Sequence, residues 1–211
     1  SRYISLIALL FVLLNVVNTT GEYILSELAT SRAATLLAQN VITDQGAYLG
    51  EFYGNFFFWV NVIAVLLQAF VVSRIVKYGG LRWTILILPF VSLGAYGIVA
   101  AGAGFAAVRW AKTAENTTDY SIMNTARQLL WLPTSREEKY KAKQAVDTFF
   151  VRMGDVLSAG FVFVGTTWLG LGVTGFATGN ILMIVAWIGV VFLILGEYRK
   201  LKGVGAEGAG S

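Results

Sequence analysis

The chain has 211 residues, 56% hydrophobic and only 13% charged, with a formal net charge of +4, no cysteine and no histidine; its mean hydropathy is +0.68. Soluble domains carry about a quarter charged residues, so composition predicts a polytopic membrane protein, and non-alternating runs such as Ile7–Val17 and Ile181–Gly196 exclude a β-barrel. The missing thiols and imidazoles exclude disulfides and haem or zinc held by such ligands; no cofactor is expected, and the basic surplus is assigned to cytoplasmic loops rather than nucleic acid.

In chain order, the first apolar helix is predicted from about Tyr3 to Leu25, retained because no small-residue cleavage site follows it. Asn15, Asn18 and Glu22 fall on one face of it. The stretch Glu27 to Phe52 reads as an interfacial helix and loop carrying Arg32, Asp44 and Glu51. A second helix, Tyr53 to Val76, opens with Phe56, Phe57, Phe58 and Trp59, read as an aromatic belt, and buries Asn61 and Gln68. A basic turn with Arg74, Lys77, Gly79, Gly80 and Arg82 leads to a third helix, Trp83 to about Ala101, in which Pro89 is tolerable.

After a short turn at Gly102 and Gly104, a fourth helix, about Phe105 to Leu132, carries Arg109, Lys112, Glu115, Asn116 and Asp119, too polar for lipid. A hydrophilic loop follows, with Arg136, Lys139, Lys141 and Lys143, and re-enters a fifth helix, about Ala145 to Leu169, by way of Asp147, Arg152 and Asp155. Gly170, Gly172 and Gly175 turn the chain into a sixth helix, about Phe176 to Leu195. Residues 203–211 read as a flexible tail. The expected fold is therefore all-α, one bundle of six transmembrane helices over 1–202.

With six crossings, the N-terminus, the 74–82 turn, the 127–143 loop and the C-terminus share a side holding 12 of the 16 basic residues. The positive-inside rule makes that side, and both termini, cytoplasmic, with a bacterial inner membrane the expected setting. The helices fall into three plus three, with the carboxylate-bearing helix first in each triplet. Inverted three-helix repeats of this kind build half of a major-facilitator transporter.

Three stretches resemble the C-terminal half of the ATP/ADP translocase family of nucleotide exchangers: NTTGEYILSE at 18–27, DYSIMNTARQLLWLP at 119–133 and SREEKYKAKQAVDTFFVRMGD at 135–155. The resemblance implies a major-facilitator-like fold and a transport-essential role at Glu22. It also marks departures: Ser26, Asn116, Asp119 and Asp155 stand where the family's lysines are expected. A nucleotide's phosphates need cations in a low-dielectric cavity, whereas Glu22, Glu115, Asp119 and Asp155 outnumber Arg109, Lys112 and Arg152. The charges favour a cation-coupled or neutral solute over ATP/ADP exchange.

Each polar group carries two readings. Asn15, Asn18 and Glu22 form a substrate or ion site, or hydrogen-bond between helices. Lys112, Glu115 and Asp119 line the path, or form an ion-pair network locking the fourth helix. Asp147, Arg152 and Asp155, with Arg136, Lys139, Lys141 and Lys143, gate the cytoplasmic side, or cap helices and meet lipid head groups. No phosphate loop, nucleophile–base pair or metal-ligand spacing is present, so an enzyme is not expected. The expected function is that of a secondary-transporter-like half-bundle. The competing expectation is a non-transporting accessory subunit of a larger membrane complex. The expected partners are the lipid bilayer, a second half-bundle or such a complex, and a small solute.

Overall fold

The computed structural model describes residues 2–208, the side chains of Arg136, Glu138, Asp147 and 203–208 excepted. The described residues form helices joined by short turns, without a strand. Helix α1 spans Arg2–Ala38, past the end expected at Leu25. The sequence SELATSRAATLLA holds no proline or glycine, and Leu25, Ala29 and Ala33 extend the buried stripe at four-residue spacing. The helix stops where Asn40 takes φ 55, the left-handed conformation asparagine tolerates.

Helix α2, Gln45–Leu67, starts at Asp44, whose carboxylate accepts from the Gly46 and Ala47 amides at 2.7 and 3.2 Å. The interfacial region expected over 27–52 is thus the end of α1, a short turn and the start of α2. A π-helical turn, Gln68–Val72, joins α2 to α3, Ser73–Ala100. The basic turn expected at 74–82 is helical except at Gly80, with φ 57 and ψ −158. Only glycine enters that region without steric cost, so one residue carries the break.

Next come α4, Phe105–Thr118, a π-helical turn, Asp119–Met123, and α5, Asn124–Leu130. The hydrophilic loop expected up to Lys143 is instead helical from Arg136 onward. It comprises α6, Arg136–Ala145, a π-helical turn, Val146–Phe150, and α7, Val151–Thr167. REEKYKAKQA is rich in strong helix formers, and Lys141 pairs with Glu137 at 2.7 Å one turn away. After Gly170, at φ 60, α8 runs Val173–Gly208.

Helix α1 is the hub, packed by α7, α8, α2 and α4, while α3 packs on α4 and α8. Leu10, Leu14, Val17 and Ile24 of α1 join Ile85, Tyr96, Met123, Ile184 and Trp187 in one core. A smaller cluster holds Leu25, Ala29, Phe52, Phe56 and Val60. Phe56 therefore belongs to the interior, and only Phe57, Phe58 and Trp59 of the expected belt are exposed.

Four stretches are long and apolar enough to cross a membrane: Arg2–Ala38, Gln45–Ala100, Lys139–Thr167 and Val173–Lys202. Helix α2, the π-helical turn after it and helix α7 display Val65, Leu66, Phe70, Val156, Leu157 and Phe163 outward. This surface suits lipid and would aggregate in water. Between helices in lipid, association rests on close packing and polar contacts rather than on apolar burial, so the polar interior carries much of the specificity.

Candidate functional site

The polar interior is built around α4. Lys112, Glu115, Asn116 and Asp119 recur at spacings of three and four, a stripe that turns inward because the neighbours it meets are also polar. Lys112 is 1% exposed and Glu115 3%. The Lys112 ammonium lies 2.5 Å from Glu115 Oε2 and 3.6 Å from Glu22 Oε1 on α1. Glu115 also accepts from the Ser92 hydroxyl at 2.8 Å and the Tyr96 hydroxyl at 3.1 Å, both on α3. The Val17 carbonyl is an alternative acceptor for Tyr96 at 3.2 Å. Glu22 accepts from the Asn116 amide at 2.9 Å, and its side chain is 35% exposed.

Three helices converge here because of Gly21. A Cβ at that position would collide with the Tyr96 hydroxyl and lie 2.7 Å from Lys112 Nζ. Glycine lets the α1 backbone approach both groups. The buried carboxylate has three donors, so desolvation is offset by charge-assisted hydrogen bonds. Glu22 has fewer partners and an open side.

The other expected site residues divide between this cluster and three further places. Asn15 donates from one amide to Asp155 Oδ1 at 2.6 Å and to the Val151 carbonyl at 2.8 Å, tying α1 to α7. Thr19 donates to Asp155 at 3.3 Å, and Arg152 lies 3.4 Å from that carboxylate. Asp119 pairs with Arg127 at 3.0 Å rather than with Lys112, and Arg127 lies over the Phe11 ring. Asn18, Ser92, Glu115, Asp119 and Trp187 border a small gap of about 10 Å³. The buried Trp187 Nε1 has no acceptor among the described residues. Arg109 stands apart, donating to Asn55 and lying over Phe52.

In the expected gate, Lys143 donates to Gln128 at 3.1 Å and Lys141 pairs with Glu137. Lys139 is half-buried on α6. The side chains of Arg136 and Asp147 lie outside the described residues. Sequence reading missed Tyr96, Ser92, Thr19, Thr20 and Asn180. Thr20 and Ser158 share a hydrogen bond of 3.0 Å, and Asn180 donates to the Val17 carbonyl at 3.1 Å. The signal available was each residue's polarity inside an apolar run; nothing local told which neighbour it would meet.

The described residues thus form a multi-pass helical membrane protein with a charged interior. The ADP,ATP carrier protein 1 of Chlamydia pneumoniae is 27% identical over 124 residues, 49% of this chain and 24% of that protein. The match therefore spans about a quarter of that carrier's length. No family model matches the chain, and no solved structure does.

Proposed function

We propose that this chain is a half-bundle of a secondary transporter, related to the C-terminal half of nucleotide carriers, in which Glu22 and Asn116 with Tyr120 face a solute path. It crosses the bilayer six times as a three-plus-three inverted repeat. Gln68 reaches Thr125 at 3.4 Å and Asn55 meets Arg109, so α2 runs alongside α4 and α5 in the same direction. Ser92 and Tyr96 meet Glu115 on the return beyond Gly80. The Arg2–Glu197 contact at 3.8 Å puts the start of α1 and the end of α8 on one side. The positive-inside rule assigns that side to the cytosol, in keeping with a bacterial inner membrane. The outward faces of α2 and α7 suit lipid or a second half-bundle.

The observation that carries this reading is a half-open carboxylate, Glu22, held inside an apolar bundle and joined to a buried ammonium. Ionisable groups at membrane depth mark ion and substrate paths. Glu22, Glu115 and Lys112 together carry one negative charge more than positive, while Asp119 and Asp155 each have a guanidinium partner. Such a site suits a cation-coupled or neutral solute and repels the phosphates of ATP.

The test compares Glu22→Gln with wild type for uptake of labelled ATP, amino acids and quaternary amines into intact cells. Loss of one uptake activity with normal membrane abundance is expected. Unchanged uptake, together with unchanged copurification of unrelated subunits, would favour an accessory subunit, the reading suggested by the self-neutralised Asp119 and Asp155 pairs.

A further inference from the structure

We propose that Lys112 is a resident surrogate cation for Glu22, and that a small monovalent inorganic cation binds Glu22 in competition with it. This rests on reading Glu22 as part of a transport path. One ammonium serves two carboxylates, and the sharing is unequal: 2.5 Å to Glu115 against 3.6 Å to Glu22. Glu115 has Ser92 and Tyr96 as further donors, so it holds its charge without undivided use of the lysine. Glu22 has Asn116 and the distant ammonium, and is the open member of the trio.

The neighbourhood is built for a displaceable ammonium. Gly21 supplies the clearance into which Nζ fits. The Tyr96 ring lies 5.8 Å from Nζ and favours a cation in that place. Glu115 and Trp187 also border the small gap, and the buried Trp187 Nε1–H has no acceptor among the described residues. A cation on Glu22 repels Nζ fully onto Glu115, and its departure lets the lysine lean back. Binding of one monovalent cation takes the trio from a net charge of −1 to neutrality, which a low-dielectric interior favours. Lys112 is thus a positioning residue for occupancy of Glu22.

Two substitutions move the balance in opposite directions, which a merely structural lysine would not allow. Removing the competitor with Lys112→Met should tighten cation binding at least tenfold. Freeing the lysine with Glu115→Gln, which retains hydrogen bonding to Ser92 and Tyr96, should weaken it at least tenfold. The full chain in detergent is titrated with sodium or potassium chloride against N-methyl-D-glucamine chloride at constant ionic strength and pH, reading melting temperature and tryptophan fluorescence. Wild type is expected to saturate, Glu22→Gln to show no inorganic-cation effect, and the other two variants to straddle wild type.

If Lys112→Met does not fold, the Glu115→Gln shift decides alone. No inorganic-cation effect in wild type, or midpoints that do not move apart, overturns the proposal. Uptake is measured separately. A cation effect of this pattern without uptake leaves the surrogate role standing and removes transport; uptake that needs Glu22 without a cation effect does the reverse.

Discussion

Gly21 of α1 and Tyr96 of α3 meet so closely that the tyrosine hydroxyl occupies the space a Cβ on residue 21 would need. The contact places the hydroxyl between the Val17 carbonyl and Glu115, so one absent methyl sets the distance between α1 and the buried charges. Gly21→Ala should push α1 outward and destabilise the bundle by about 1–3 kcal/mol, the usual cost of overpacking a dense interior. The melting temperature in detergent checks this. Gly50→Ala, at a glycine with open space around it, is the control and should change little.

The Lys112–Glu115 pair makes a sharper statement. Glu115→Leu takes the nearer carboxylate from a buried ammonium, leaves it Glu22 at 3.6 Å, and should cost about 3–5 kcal/mol. Combining it with Lys112→Met should recover a large part of that loss, because a neutral pair of similar volume strands no charge. A double-mutant cycle on thermal stability reads the coupling. Additive losses would mean that the two side chains do not share a site.

Asn15 joins α1 to α7 through two acceptors, Asp155 and Val151. Asn15→Leu removes both donations and should cost about 1–3 kcal/mol, the penalty for leaving a partly buried carboxylate and carbonyl short of donors. Faster proteolysis near 151–167 would register the loosened α7. Asn61→Leu should be almost silent by the same assay, because its amide donates only to the Phe57 carbonyl of its own helix.

The break at Gly80 offers a backbone test. With φ 57 and ψ −158, any other residue there is strained, and Gly80→Ala should cost about 1–3 kcal/mol. Gly94→Ala, elsewhere in α3 with open space around it, should be neutral or slightly stabilising, since alanine is the better helix former.

These contrasts mark what could be read from residue order. The long apolar runs announced an all-helical membrane protein, and the polar stripe on α4 was visible as Lys112, Glu115, Asn116 and Asp119. Helix ends were harder. The run Glu27–Ala38 read as the start of an interfacial helix and loop and Arg136–Lys143 as a loop, yet neither contains anything that stops a helix, and packing or helix-forming composition continued it. Pairings were harder still. Asp119 was grouped with Lys112 and Glu115, but it lies in the π-helical turn Asp119–Met123 and pairs with Arg127. Tyr96 and Gly21 carried no local mark of function, since their roles arise only when α1, α3 and α4 are brought together.

The native chain has no cysteine, so single-cysteine labelling is available without background. Tyr120 is 47% exposed and one helical turn beyond Asn116, the partner of Glu22, whereas Val65 is 67% exposed on apolar α2. With intact membranes and a membrane-impermeant thiol reagent, Tyr120→Cys should be modified and Val65→Cys protected. Modification of Val65→Cys with protection of Tyr120→Cys would contradict a water-lined path beside Glu22 and place lipid where the solute should pass.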